Sequence, residues 1–422
     1  MKIDRRELIA GSAALGVAGL AGAAGAAVTK QPVLTDIVIP PAITPEERGL
    51  RIAKAQRLMR DHGIGAILVE SGPSLDYFTG VQWGRSERLT GALIPAEGKP
   101  IIVTPFFEKP SVAETLAVDA EIRTWHEHVE PLSVVVGYLR ELGLEGEKIG
   151  MEETNRYFLV DKLQSELRGA RVVSANPVVR GCRMYKSDNE LRLMRAANHI
   201  TLTAIGNVID RMEPGMTGRD VRAMLTSEQV RLGGSRPWAL VLFGPDAALP
   251  HGTGREQVLG QGDIVLVDTG CSVHGYQSDI SRTWVLGTPS AQQRRVWDQV
   301  AAGQQVAWKA LKIGQSAGSV DDAVRAAYES WGYGPDYELP GLSHRTGHGI
   351  GMQGHEPVNL VRGETEKLAP GMCFSNEPGI YLPGKFGVRL EDCFYMGETG
   401  PKWFTVPPTS LDDPLGRMGD PV

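Results

Sequence analysis

A helical run extends from Glu46 to His62, and the short apolar stretch Ala66-Ile67-Leu68-Val69 follows as a strand. Strand signals recur at Ala92-Leu93-Ile94-Pro95 and Ile101-Ile102-Val103-Thr104, and helix and strand signals continue to Val173. That alternation predicts an α/β first domain over roughly 45–175. Asn176-Pro177 reads as the start of a connection. Ser187-Asp188-Asn189-Glu190 is a capping box, serine at the N-cap and glutamate three residues on. It opens a helix reaching about Arg211, stopped by Glu213-Pro214-Gly215. Further helices are predicted at Arg219–Leu232, Ala291–Lys312 and Val320–Trp331, with β runs between and after them. Helices over a mostly antiparallel sheet make the second domain, 176–410, α+β, with 411–422 as a tail. No internal repeat of solenoid length is visible.

Two of the β runs carry acids in a telling place. Gly262-Asp263-Ile264-Val265-Leu266-Val267-Asp268-Thr269-Gly270 is a buried-strand pattern ending in an acid, and Tyr276-Gln277-Ser278-Asp279-Ile280-Ser281-Arg282-Thr283-Trp284 is a β-prone run holding another. Folded as a hairpin centred between Val273 and His274, the chain sets Asp268 opposite Asp279. Directly opposed side chains have Cβ atoms roughly 4.5–5.5 Å apart, and like charges there repel. A second pair of runs repeats the device. Cys373 to Tyr381 leads to the turn Leu382-Pro383-Gly384-Lys385, and Phe386 to Asp392 returns. Centred on Gly384, that hairpin faces Glu377 with Glu391. One such pair is ordinarily two solvated surface acids. Two pairs, each beside a strongly apolar strand, call for a cation or another shared partner.

Between the hairpins lies Gly341-Leu342-Ser343-His344-Arg345-Thr346-Gly347-His348-Gly349-Ile350-Gly351-Met352-Gln353-Gly354-His355-Glu356-Pro357, histidines close-packed with glycine. Such a stretch lets imidazoles approach a ligand. It contains a formal GxGxxG, Gly349 to Gly354, but Pro357 follows and no preceding βα turn supports a dinucleotide site. His126-Glu127-His128 lacks metal-helix spacing and reads as surface.

Composition is ordinary for a soluble globular protein at 22% charged and 42% hydrophobic, and the net charge of -6 argues against a nucleic-acid partner. The N-terminus stands apart. Asp4-Arg5-Arg6-Glu7-Leu8-Ile9 is a twin-arginine pattern, followed by an Ala/Gly-rich run to Ala27 with a small-residue cleavage site at Ala24-Gly25-Ala26. Residues 1–27 therefore read as a cleaved twin-arginine export signal rather than a membrane anchor, with 28–44 as a linker, and predict a periplasmic or secreted protein. In an oxidising compartment Cys182, Cys271, Cys373 and Cys393 could pair, Cys373 with Cys393 among the options. Buried free thiols are the preferred reading.

The order Asp268, Asp279, His348, Glu377, Glu391, with the phrases DTG, DISRT, GHGIG, HEP, NEPGIY and VRLED, resembles the pita-bread metallopeptidases: Xaa-Pro aminopeptidases, prolidases and methionine aminopeptidases. The resemblance is close over about 186–400 and looser in the preceding creatinase-like domain. It implies a creatinase-like N-terminal α/β domain followed by a pita-bread catalytic domain. It also implies two divalent ions per subunit, with Asp268 chelating one, Asp279 and Glu391 bridging, and His348 with Glu377 holding the other. One imidazole among carboxylates suits Mn, Co, Fe or Zn, with Mn first in expectation. Two such ions activate water and polarise a peptide carbonyl.

By the same resemblance Glu377 moves the proton, His251 and His355 hold substrate and stabilise the intermediate, and Arg389 orients the site. His344 and Arg362 are further substrate-binding candidates, Arg362 for a dipeptide carboxylate. Trp83 has a default place in its own domain and a weaker claim on a neighbouring subunit's site. The implied reaction is hydrolysis of the bond before a proline in second position, by a homodimer or larger assembly. The first domain argues against a methionine aminopeptidase. The alternative is a relative turned to a small non-peptide molecule, as a metal-dependent lyase or a creatinase-like amidinohydrolase.

Overall fold

The computed structural model describes residues 37–422 apart from positions 168 and 170. The export signal expected over 1–27 lies outside the described residues. Among those described, no helix is long and apolar enough to cross a membrane.

The first helix, Pro45–His62, starts where the sequence provides every stop and start signal. Thr44 and Glu47 form a capping box, Pro45 sits in the first turn, and Gly63 closes the end in the left-handed conformation. A six-stranded mixed sheet follows, in spatial order Glu121–Trp125, Ile101–Pro105, Gly91–Pro95, Ala66–Glu70, Lys148–Met151 and Arg171–Ser174. Its central strand is buried on both faces, and alternate residues serve different cores. Ala66 and Leu68 pack with the helices Leu132–Glu141 and Tyr157–Glu166. Ile67 and Val69 pack with Ile52, Ala55 and Met59 of the first helix, in a cluster that continues into Leu193, Met194, Cys271 and Tyr276. The two halves of the chain thus share apolar core. Trp83 packs against that cluster, as expected of a residue in its own domain.

Asn176-Pro177 does not begin a connection. Residues Asn176–Arg183 form a helix. Proline in the first turn has no amide hydrogen to lose and a φ already suited to a helix, and Val178, Val179 and Cys182 give the turn a buried face.

The second half is helices over antiparallel sheets. Asp188–Ile209 and Gly218–Arg231 pack on one sheet, Ser235–Phe243, Ile264–Val273 and Ile280–Val285. Ala291–Ala310 and Gly318–Ser330 share a core with the second sheet, whose strands lie in the order Glu356–Leu360, Gly347–Gly349, Cys373–Asn376, Asp392–Gly397 and Gly400–Trp403. Ser187, Thr217 and Ser290 each cap a helix with a reciprocal partner three residues on. All four cysteines are free and buried.

Candidate metal centre

The first acidic hairpin turns on His274-Gly275. Val273 pairs with Tyr276 and Ser272 with Gln277, so these two residues form the whole loop, with φ of 46° and 88°. Two positive φ values suit the tight turn that matches strand twist. The register therefore differs by one residue from the centre expected between Val273 and His274. Asp268 lies opposite Ser281, and Asp279 is its diagonal neighbour on the same face. Gly270 makes that possible, because a Cβ there would come within 2.0 Å of the Ser278 carbonyl. The acids still converge, since oxygens of Asp268, Asp279 and Glu391 lie within 4.8 Å of one another.

The second hairpin has the expected register. Asn376 pairs with Asp392 on one side and Gly379 with Arg389 on the other, so the same alignment runs through Glu377 and Glu391. The hairpins are stitched together. The Glu391 amide donates to the Ser281 carbonyl (3.1 Å), and the Ser281 hydroxyl donates to Glu391 Oε2 (2.8 Å). Beneath them the fully buried Arg282 donates to Asp392 Oδ1 (2.7 Å) and to the Glu391 carbonyl (2.8 Å).

His348 comes from the strand Gly347–Gly349, inserted beside Cys373–Asn376; a Cβ at Gly347 would meet the Ser375 carbonyl at 2.2 Å. Its Nδ1 lies 3.0 Å from the Gly349 carbonyl. A carbonyl only accepts, so Nδ1 carries the proton and Nε2 presents a lone pair. That lone pair faces Glu377 Oε1 at 3.3 Å, Asp279 Oδ2 at 3.7 Å and Glu391 Oε1 at 3.8 Å. Burial, then the nearby His355, holds the imidazole well below its ordinary pKa, so these contacts are not ion pairs. Asp268 Oδ1, Asp279 Oδ1 and Glu391 Oε1 are buried and have no hydrogen-bond partner among the described residues. Leaving such oxygens unsatisfied costs about 1–3 kcal/mol each, and more for charged groups. A lone pair and orphaned carboxylate oxygens around one space fit divalent cations.

Burial and mutual repulsion disfavour charge on these acids. Burial, then Glu391 and Asp268, raises Asp279 well above the carboxylate range. Burial, then Glu377 and Asp268, does the same to Glu391. Burial pushes Glu377 up to about 7.

Arg389 anchors the rim. It donates to Asp268 Oδ2 (2.7 Å), the Ser281 hydroxyl (2.9 Å), the Tyr381 hydroxyl (3.0 Å) and the Pro250 carbonyl (3.1 Å). Burial opposes its charge, but Tyr381, Asp268, Glu377 and Glu391 outweigh it and raise its pKa. The Pro250 contact carries the loop that brings His251 to the site. His344 donates from Nδ1 to the Arg345 carbonyl (2.8 Å), so its Nε2 accepts from the Tyr381 hydroxyl (2.7 Å). Burial, then Arg389, lowers the His344 pKa to about 3. The His355 ring stands edge-on to His348 at 4.2 Å and is near enough to Asp279 to join a ligand set.

The site opens into one chamber of about 1100 Å³. It brings together Asp268, Asp279, His348, Glu377, Glu391, His251, His344, His355 and Arg389. Arg362 is not among its walls. Its guanidinium is tied to Asp322 and Asp336, which hold it outside as a surface ion-pair group. Sequence reasoning missed Arg345, Arg236 and Trp238, which do line the chamber, and Tyr381 behind Arg389. Arg345 had a signal, its place between His344 and His348. Arg236 and Trp238 had none, because a bulge in Ser235–Phe243 turns them toward the site.

The family model described as Metallopeptidase family M24 matches residues 192–398, and that described as Creatinase/Prolidase N-terminal domain matches 51–185. The chain is 32% identical over 355 residues to the probable dipeptidase PepE of Mycobacterium tuberculosis, covering 83% of this chain and 92% of that protein. It is 27% identical to the Xaa-Pro dipeptidase of Pyrococcus furiosus, over 84% of this chain and 97% of the relative. The crystal structure of dipeptidase PepE from Mycobacterium ulcerans superposes with a TM-score of 0.80 at 30% identity, covering 88% of this chain and 99% of that one.

Proposed function

The chain belongs to metallopeptidase family M24, and on that premise we propose that it is an exported, dinuclear-metal-dependent dipeptidase that cleaves Xaa-Pro. The observation that carries this is the His348 lone pair facing carboxylate oxygens of Glu377, Asp279 and Glu391, beside Asp268 Oδ1, Asp279 Oδ1 and Glu391 Oε1, which are buried and have no hydrogen-bond partner among the described residues. In this reading Asp268, Asp279, His348, Glu377 and Glu391 would hold the two ions, manganese first. The ions supply water activation and carbonyl polarisation.

The chain's own groups do the rest. Glu377, facing the His348 lone pair at 3.3 Å, takes and returns the proton of the reaction. The Tyr381 proton points at His344, so Tyr381 accepts from Arg389 and keeps that guanidinium turned to Asp268. His251 and His355 sit on the chamber wall where a substrate carbonyl and its developing charge need donors. Trp238, Leu240 and Val361 give apolar wall suited to a pyrrolidine ring. Dipeptidase is preferred over aminopeptidase because the relatives bear that name. Export rests on the twin arginines at Arg5-Arg6, and a homodimer on the family resemblance.

The test is a peptide panel on chelator-stripped protein reloaded with Mn²⁺. Gly-Pro should be hydrolysed and Gly-Pro-Xaa tripeptides spared. Absence of turnover with every Xaa-Pro peptide at full metal loading would remove the peptidase reading. Cell fractionation with and without Arg5→Lys/Arg6→Lys addresses export, which fails if both forms stay in the cytoplasm. Size-exclusion chromatography with light scattering addresses the dimer, which fails if the protein elutes as a monomer.

A further inference from the structure

The helix Gly318–Ser330 contributes no side chain to the chamber, yet it carries a buried ion pair aimed at the histidine segment. Asp321 and Arg325 lie one turn apart, with side chains 0% and 1% exposed, and Arg325 Nε donates to Asp321 Oδ2 at 2.8 Å. The rest of the guanidinium is directed at backbone. It donates to the carbonyls of Leu342 (3.0 Å) and His344 (2.7 Å). Asp321 Oδ1 accepts from the Thr346 amide (3.1 Å) and hydroxyl (2.7 Å), while Oδ2 also accepts from the Arg362 amide (2.9 Å).

Residues 342, 344 and 346 are alternate positions of the segment that leads into Gly347–Gly349. A neighbouring strand would offer donors to 342 and 344 and an acceptor to 346. The guanidinium supplies those donors from a helix, and the carboxylate shares the Thr346 amide with the Leu360 carbonyl of the neighbouring strand (3.1 Å). Thr346 has a second consequence, since its carbonyl accepts from the Glu377 amide at 2.8 Å. Thr346 is therefore two residues from His348 and one hydrogen bond from Glu377. A buried ion pair is weak evidence for stability, because desolvation offsets most of its attraction. What this one provides is direction: besides the Asp336 carbonyl and the Arg362 amide, its donors and acceptors outside the pair point at the segment.

We propose that Asp321 and Arg325 are positioning residues that set where His348 and Glu377 stand, and thereby set the metal affinity of the centre. The proposal rests on reading His348 as a metal ligand. The test keeps the two claims apart, using Mn²⁺ calorimetry on the full chain stripped with chelator, with far-UV circular dichroism and thermal unfolding of the metal-free forms.

Arg325→Lys keeps the charge but cannot bridge Asp321 and two carbonyls, and should lower Mn²⁺ affinity by about 10–100-fold, the usual scale for an outer-sphere partner. Thr346→Val removes only the hydroxyl and should lower it by a smaller factor. Thr346→Ser restores the hydroxyl and should bind like the native protein. Should Arg325→Lys not fold, the Thr346 pair decides alone. Native Mn²⁺ affinity in folded Thr346→Val, whatever its melting temperature, would overturn the positioning role. Native affinity in His348→Ala would instead overturn the metal reading beneath it.

Discussion

His348 Nε2 stands 3.3 Å from Glu377 Oε1, and the ring's own proton is on the far side, bound to the Gly349 carbonyl. A lone pair facing a carboxylate oxygen is relieved by a shared proton or, in the proposed reading, by a metal ion. The stability of the metal-free protein should therefore depend on pH in an unusual direction. Glu377 is raised from 4.5 to about 7, and Asp279 and Glu391 well above their ordinary values. A carboxyl with a raised pKa binds more protons folded than unfolded, so its contribution is present below the unfolded pKa and lost as pH rises through the folded one. The lowered histidines, His344, His348 and His355, act the opposite way, but only below their unfolded value near 6.5. The histidine contribution fades within about one pH unit above that value, leaving the carboxyls. Urea unfolding in chelator should show stability falling as pH rises further, through the folded values of the carboxyls. With Mn²⁺ the trend should reverse, because metal affinity rises as protons leave its ligands.

Glu377→Gln keeps the shape of the side chain and removes its proton chemistry. At matched metal loading it should lower kcat by about 10²–10⁴-fold, the usual range for a positioned acid or base. The acid limb of the pH–kcat profile should disappear with it. A kcat within about tenfold of native under those conditions would assign proton transfer elsewhere.

How much of this was legible before folding differs between the two hairpins. Gly384 lies at the centre of strands whose apolar runs are the same length on either side, so Glu377 and Glu391 could be set face to face by counting. The Asp268–Asp279 hairpin defeated the same count by one residue. Its turn uses His274 at positive φ, a conformation uncommon for any residue but glycine. The helix Asn176–Arg183 was hidden for a related reason, since Asn-Pro usually opens a turn and only burial of Val178 and Cys182 decides otherwise. The order of the four acids along the chain was legible because each ends or interrupts an apolar strand. Arg362 and Arg345 were not separable, because which of two nearby arginines meets a cavity depends on Asp322 and Asp336 capturing one of them. The Asp321–Arg325 clamp had no pattern at all, being side chain against backbone.

Arg389 distributes one planar fork over Asp268, Ser281, Tyr381 and Pro250. Lysine offers a point charge on a flexible stem and cannot keep those directions together. Arg389→Lys should lower Mn²⁺ affinity by about 10–100-fold, since Asp268 directly and Glu391 through Ser281 lose their orientation. Metal content by elemental analysis after dialysis against fixed free Mn²⁺ reads this without any assay of activity. Full retention of metal would mean that the two hairpins orient the acids unaided.

Arg51 reaches from the first helix across the shared core to Glu190 at 3.2 Å and to the Tyr276 hydroxyl at 2.8 Å, and lies over the Tyr77 ring at 4.0 Å. Glu190 also accepts from Tyr276 at 2.7 Å and caps the Asp188–Ile209 helix through the Ser187 amide at 2.8 Å. The ion pair is buried, with side chains 8% and 4% exposed. Removing one partner of such a pair leaves a charge without compensation, which costs about 3–5 kcal/mol. Arg51→Met should therefore lower unfolding free energy by about 3 kcal/mol, the tyrosine contact keeping it at the lower end of that range. Adding Glu190→Gln removes the stranded charge while retaining an acceptor for Tyr276 and for the cap, so the double variant should be more stable than Arg51→Met alone. A double-mutant cycle by urea unfolding measures the coupling. Additive losses would mean that the two halves are held together by the apolar cluster around Tyr276 and Met194, with the ion pair contributing nothing of its own.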